Sequence, residues 1–291
     1  MGPEPAMMAA TSADTDDRFA FGANWARFLS RVDEARIREA EQSLRAMLKV
    51  DSLAGMRFLD AGSGSGLFSL AARRLGADVT SFDYDAQSVA CTNALRARYF
   101  SNDASWQVLQ GSVLDGGFLE RCGQFDVVYS WGVLHHTGAM WDALARLEPR
   151  VGARGLLFVA IYNDQGWKSR AWVNLKRWYN HHAWLRPVLL AGGLMALWGP
   201  RCALDLCQGR PFRTWRDYAR ERGMHPWHDL VDWMGGHPFE VATADQLFDF
   251  FSARGYRLVT LKTAGGGLAC NELVFRRTAI APAGRGIDDA G

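Results

Sequence analysis

From Met56 onward, short runs rich in β-branched and aromatic residues alternate with longer segments whose apolar positions recur at helical spacing. The runs are Arg57 to Asp60, Asp78 to Phe82, Trp106 to Leu109, Phe125 to Ser130 and Gly155 to Ile161. Each ends in Gly or polar residues and then passes into helix-like sequence, a pattern that predicts a parallel sheet with helices on both faces. Upstream, Val32 to Leu48 places Ile37, Leu44, Met47 and Leu48 near helical spacing with charges between them, and predicts a helix beside the sheet. After Ile161 the alternation stops. It resumes with a helix over Ala244 to Arg254 and strands over Tyr256 to Lys262 and Glu272 to Arg276, joined through Gly265-Gly266-Gly267 as an antiparallel hairpin at the sheet edge. The expected fold is an α/β, doubly wound, seven-stranded, mostly parallel sheet with a helical insertion after strand five. The expected organisation is a flexible leader (1–17), N-terminal helices and a ligand-binding core (18–161), a helical insertion or substrate cap (162–242), the last helix and terminal hairpin (243–277), and a flexible tail (278–291).

Composition narrows the class. With 291 residues, 48% hydrophobic and 22% charged, the chain has enough apolar sequence for a packed core. Five cysteines without a C-x-x-C pair suggest neither a disulfide frame nor a zinc site, which fits a reducing cytoplasm. The acidic start, with Asp14, Asp16 and Asp17, does not read as a secretory signal. The longest apolar run, Val188 to Gly199, contains Gly192 and Gly193 and falls short of the roughly 20 residues that cross a bilayer. It is expected to lie on a membrane, to cap an apolar pocket or to be buried.

Chemistry concentrates where the first strand meets Asp60-Ala61-Gly62-Ser63-Gly64-Ser65-Gly66 and the helix Leu67 to Leu75. Bare backbone N–H groups and a positive helix end meet there and can hold a carboxylate, a phosphate or a ribose edge. A dinucleotide fingerprint needs glycine where Leu67 stands, which disfavours a nicotinamide-dependent oxidoreductase. Two roles are open to Asp83 at the end of strand two: acceptor for both ribose hydroxyls of an adenosine, or N-cap of the helix Ala86 to Tyr99, which Asp85 can serve equally well. Tyr84 beside it is placed to cover an adenine. Gly111-Ser112-Val113 and Tyr129-Ser130-Trp131-Gly132 follow strands three and four and open on the same edge, where doubly wound sheets bind their ligands.

LDAGSGSG, SFDYD and FDVVYSWGVLHHTGAMW together resemble the successive motifs of class I S-adenosylmethionine (SAM)-dependent methyltransferases, in particular the ubiquinone-biosynthesis-like group. The resemblance covers Phe58 to Ile161 and the final hairpin. It implies a Rossmann-like methyltransferase fold with a reversed last strand, SAM as cofactor and S-adenosylhomocysteine as product. It also implies methionine bound near Asp60 to Gly66, ribose on Asp83 and adenine between Tyr84 and Val113. The implied cofactor set is Asp60, Ala61, Gly62, Ser63, Gly64, Gly66, Asp83, Tyr84, Ser112, Val113, Asp115, Ser130 and Trp131. One departure stands out: many members carry an acid at the position of Ser112, and Asp115 is close enough in sequence to take its place.

His135 and His136 follow strand four, near where the activated methyl would project. Each is a candidate general base, the alternative being a hydrogen bond to backbone around the loop. No base is obligatory, since methyl transfer from a sulfonium is driven largely by approximation. Asn163 and Asp164 after strand five are placed to orient an acceptor or to cap the next helix. His228 is a further catalytic candidate, in a cluster with His225, Asp229, His237 and Glu240 whose spacing matches no metal motif.

The insertion carries its own charge. Between Tyr162 and Gly223, eleven Lys and Arg oppose four acids, a net +7 in a chain of net +2. Trp167, Trp172, Trp178, Trp184, Trp198 and Trp215 lie among them. The segment is a solvated face or a surface for an anionic partner. The expected acceptor is a small molecule, amphiphilic or anionic, methylated on O, N or C, with peripheral membrane contact through the insertion. Docking of RNA on the insertion and SAM binding without turnover are the competing readings.

Overall fold

A computed structural model describes residues 32–222, 226–265, 267 and 269–278. The expected leader and nearly all of the expected tail lie outside the described residues. Helix α1 (Glu34–Leu48) precedes β1 (Arg57–Ala61), α2 (Leu67–Arg74), β2 (Asp78–Asp83), α3 (Ala86–Tyr99), β3 (Trp106–Gln110), α4 (Gly116–Cys122), β4 (Phe125–Trp131), α5 (Met140–Leu147) and β5 (Val151–Tyr162). The insertion contributes α6 (Trp167–His181), α7 (Arg186–Cys207), α8 (Arg213–Arg222) and α9 (Pro226–Gly235); α10 (Ala244–Ser252), β6 (Tyr256–Lys262) and β7 (Cys270–Arg277) complete the core.

The seven strands form one sheet in the order β3-β2-β1-β4-β5-β7-β6. β1 to β5 are mutually parallel and β7 runs antiparallel to both β5 and β6. The terminal hairpin therefore does lie at the edge, with its second strand docked inward between β5 and β6. Successive strand residues are sorted to opposite faces. Leu59, Val128, Leu157 and Phe275 join α5 and α10 on one side, while Phe58, Val127, Phe158 and Val274 join α1 and α2 on the other. This period of two applied to fully apolar strands requires helices on both faces.

Caps set the helix starts. Asp33, Asp85 and Asp115 each accept a backbone N–H in the first turn of α1, α3 and α4, and Thr243 with Gln246 closes a reciprocal capping box at α10. The insertion has a small core of its own, where Tyr179 of α6, Leu189, Leu190 and Leu194 of α7, and Leu230 and Met234 of α9 pack together. The expected extent of the apolar run is corrected by the fold. The helix does not stop at Gly199 but continues through Pro200 to Cys207, and with the preceding turn the stretch Ala183–Cys207 has the length and composition of a bilayer-crossing helix. Pro200 is tolerated because the carbonyl it leaves without an N–H, that of Ala196, is on an exposed residue where water can serve it.

Candidate active site

The strand order reverses direction between β1 and β4, which opens a crevice at their carboxyl ends. The glycine turn lies in it. Gly62 and Gly66 have φ of 86° and 80°, and a Cβ on Gly62 would come within 2.4 Å of the Val133 side chain. No other residue fits that position without moving the β4 loop. The turn is held by its neighbours: Gly62 and Ser63 donate backbone N–H to the Phe82 carbonyl, and Gly64 donates to Asp83 Oδ2 at 2.9 Å.

Asp83 also accepts the Asp85 N–H at 2.9 Å through Oδ1. Of its two open roles the cap of α3 falls to Asp85, whose carboxylate accepts from Gln87. Burial pushes the Asp83 carboxyl upward, with the Gly64 and Asp85 N–H groups opposing. Asp60 is more extreme. It is 2% exposed, and burial, reinforced by the charge of Asp83, carries its carboxyl to about 7 against the pull of the Ser69 hydroxyl. Ser69 Oγ donates to Asp60 Oδ2 at 2.5 Å. Ser69 and Ser81 share a hydrogen bond at 2.6 Å, and Trp106 Nε1 donates to Ser81 at 2.9 Å. Hydrogen counting orients the whole chain: indole to Ser81, Ser81 to Ser69, Ser69 to Asp60. Trp106, on β3, thus ends a relay aimed at the carboxylate of β1. The sequence signal for it was weak: Ser69 and Ser81 are merely polar residues at buried positions.

A buried carboxylate, Asp60, and a half-buried one, Asp83, stand at adjacent strand ends, and no Lys or Arg pairs with either among the described residues. Such a pair is matched by a ligand that brings positive charge and hydrogen-bond donors.

The remaining cofactor candidates divide. Tyr84 and Trp131 are exposed at the crevice rim. Val113 is buried in the core beside it, and Ser112 Oγ accepts the Leu114 N–H. Asp115 caps α4, its Oδ1 accepting from the Phe118 N–H. Ser130 is corrected: it is fully buried and its hydroxyl donates to the Ala61 carbonyl at 2.9 Å, tying β4 to β1 instead of facing a ligand.

On the acceptor side, His135 is fully buried, its ring centroid 4.0 Å from that of Tyr162. Its Nδ1 accepts the Tyr162 N–H at 3.3 Å, so the proton resides on Nε2 and the only ring lone pair is engaged. His135 is thereby removed as a base. His136 donates Nδ1–H to the Pro238 carbonyl at 2.6 Å, which leaves Nε2 as the basic nitrogen. Burial lowers it to about 4, with the Pro238 bond opposing. Asp164 Oδ1 accepts the Gly166 N–H, closing the turn before α6, and Asn163 Oδ1 accepts from Asn271. His225 and the side chains of His228 and Asp229 lie outside the described residues.

The returning limb of the insertion, residues 236–242, crosses above these groups. Glu240 donates its N–H to the His135 carbonyl, and its carboxylate accepts the Met140 N–H at the start of α5. Ala242 donates to the Tyr162 carbonyl and accepts from Asp164. Beneath the limb, Tyr162 packs against Trp233 and Phe239, with Trp172 behind Trp233. Lys176 is buried among them, its Nζ 4.9 Å and 4.8 Å from the Trp233 and Phe239 ring centres and donating to the Trp233 carbonyl. The insertion thus packs an aromatic cluster against Tyr162 at the end of β5. Sequence reasoning missed Lys176, although its place on the same helix face as Trp172 and Tyr179 was the available sign. A separate hollow of about 510 Å³ lies near the start of β1 to β4, lined by Arg57, Asp78, Arg121 and Phe125, and shares nothing with this chemistry.

The family model for a methyltransferase domain matches residues 32–261. The ubiquinone biosynthesis O-methyltransferase of Rhodopseudomonas palustris strain BisB5 is 27% identical over 143 residues, 49% of this chain and 53% of the relative. The enzyme of the same name from Bradyrhizobium sp. strain ORS 278 is 26% identical over 144 residues, with the same coverage. The chain spans about half the length of these curated relatives. Among solved structures, magnesium protoporphyrin IX methyltransferase from Synechocystis PCC 6803 with bound SAM superposes with a TM-score of 0.55 at 12% identity, over 92% of this chain and all of that one.

Proposed function

The chain belongs to the methyltransferase domain family matched over residues 32–261, and from that premise we propose that it moves the methyl group of SAM to a small acceptor. The observation that carries this reading is the Asp60 and Asp83 pair beside the open glycine turn. When bound, SAM supplies a methyl group on a positively charged sulfur. An acceptor held in line with that carbon would take the methyl group and lose its proton to water, and the carbon–sulfur electron pair would stay with S-adenosylhomocysteine. The chain binds and orients: Asp83 accepts from the ribose diol, Asp60 balances the cationic end of the cofactor, and the glycine turn, its N–H groups held by Phe82, Asp83 and Ser63, presents a surface without side chains to the crevice. An oxygen acceptor is the reading favoured by the names of the relatives. The aromatic cluster of Tyr162, Trp233 and Phe239 favours a flat or amphiphilic acceptor, and Lys176 favours one with anionic character.

Calorimetric titration tests the cofactor assignment: S-adenosylhomocysteine is expected to bind with a heat that NAD does not reproduce. Binding of NAD alone would end the methyltransferase reading. Labelled SAM offered with phenolic and quinone extracts, and separately with total tRNA, distinguishes a small acceptor from RNA.

Histidine titration should be absent from the rate. Burial holds His135 well below its usual range and His136 at about 4, so both are neutral throughout the physiological range. At saturating SAM, where Asp60 is already matched by its ligand, the pH profile of kcat/KM for the acceptor is expected to show no limb near 6.5, the value of an unperturbed imidazole. A limb there that disappears in His136→Gln would make His136 a titrating base.

A further inference from the structure

We infer that the insertion docks on an anionic lipid bilayer through the outer face of α7, with the helix lying along the surface. This goes beyond the proposed methyl transfer and does not depend on it.

Apart from Arg186, Arg201 and Asp205 the helix carries no charge, and only one side of it is covered. Leu190 and Leu194 turn inward with Gly193, whose missing side chain admits Met234 of α9. On the opposite side Val188, Ala191, Met195, Gly199, Ala203 and Leu206 recur at steps of three and four, and all are exposed. Val188, Met195 and Leu206 are 65%, 71% and 67% exposed. At 1.5 Å per residue, this uncharged stripe runs for about 27 Å. A continuous exposed apolar strip of that size is a contact surface, not ordinary surface scatter.

The surroundings select the partner. Trp178 and Trp184 stand exposed at the turn where α6 meets α7, the amphipathic side chains favoured at a headgroup boundary. Arg177 and Arg186 flank that end, and Arg210 and Arg213 follow the other, within the segment of net +7. An anionic membrane complements that charge. A second copy of the chain, docked face to face about a two-fold axis, would oppose one +7 segment to another.

The packing also decides between lying on a bilayer and crossing it. α7 is fixed along one side to α6 and α9, and Asp205 within it accepts from the Thr214 N–H and hydroxyl at 2.7 Å. A crossing helix would carry this carboxylate and its polar neighbours into hydrocarbon. Immersion of the exposed stripe alone leaves them outside.

Co-sedimentation of the full chain with vesicles of equimolar phosphatidylglycerol and phosphatidylcholine tests the inference, with pure phosphatidylcholine as control. Binding is expected to the anionic vesicles and to be at least about tenfold weaker for the neutral ones. Met195→Glu with Leu206→Glu is expected to lower vesicle affinity by about tenfold or more while affinity for S-adenosylhomocysteine is unchanged. Met195→Ser, which adds no charge, should show a smaller loss in the same direction. Absence of binding to anionic vesicles overturns the inference, as does binding that the two glutamates leave intact. Self-association abolished by Met195→Glu, without vesicle binding, overturns it in favour of a second copy. Because vesicle binding needs no turnover, its failure is distinguishable from failure of the methyltransferase reading.

Discussion

Asp83→Ala is expected to weaken S-adenosylhomocysteine binding by about 100- to 10,000-fold while the far-ultraviolet circular dichroism of the protein is unchanged. The magnitude follows from the number of bonds lost. A hydrogen bond to a charged group contributes about 1.5–3 kcal/mol, and a ribose diol makes two with the carboxylate. The same carboxylate fixes the Gly64 and Asp85 N–H groups, so alanine also loosens the turn that lines the crevice. Asp83→Asn keeps an oxygen for Gly64 but not the charge, and should fall between wild type and alanine. Calorimetry measures all three. Affinities for the three proteins within about threefold of one another would remove the ribose from Asp83, since even one lost charged bond exceeds that.

The second large effect concerns stability. In the unfolded chain Asp60 titrates near 3.8; in the folded protein it titrates at about 7. The folded state holds this proton more tightly, so its stabilising contribution is complete below about pH 4, declines as pH rises through the window and is gone above about 7. The full span is up to about 4 kcal/mol, since each tenfold change in proton affinity is worth about 1.36 kcal/mol. Asp60→Asn, which cannot titrate, should abolish that slope and make the ligand-free protein more stable than wild type at pH 8. Its affinity for S-adenosylhomocysteine should fall, because a neutral amide does not balance the cationic end of the ligand. Urea unfolding at a series of pH values measures the first effect. Parallel curves for the two proteins would show that Asp60 does not titrate in this range.

These effects arise from contacts that the sequence showed unevenly. Elements whose signal is local were legible: α3, β6 and the sheet with its terminal hairpin follow from periodicity, caps and glycines within a few residues. The glycine turn and Asp83 were legible because a strand, a turn and a helix follow one another directly. What escaped was nonlocal. Asp115 and Asp164 look alike to a cofactor or acceptor ligand in sequence, and only the fold commits one to α4 and the other to the turn before α6. Ser130 is at the correct strand end, but its neighbour across the sheet is the Ala61 carbonyl. The Trp106–Ser81–Ser69–Asp60 relay joins four elements and has no linear signature. The apolar run Val188 to Gly199 did not show that α7 continues through Pro200 to Cys207.

The limb at 236–242 has a consequence for how this fold acquires new acceptors. Although it follows α9 in sequence, its hydrogen bonds run to His135, Met140 and Tyr162, all in the core. Thermodynamically it belongs to the scaffold, and the exchangeable cassette is α6 to α9 alone. A chimaera that transplants another acceptor-selecting cassette would best be spliced near Gly166 and Gly235, so that Glu240 travels with the host. A junction at the apparent domain border, residue 242, would carry off the carboxylate that secures the first turn of α5.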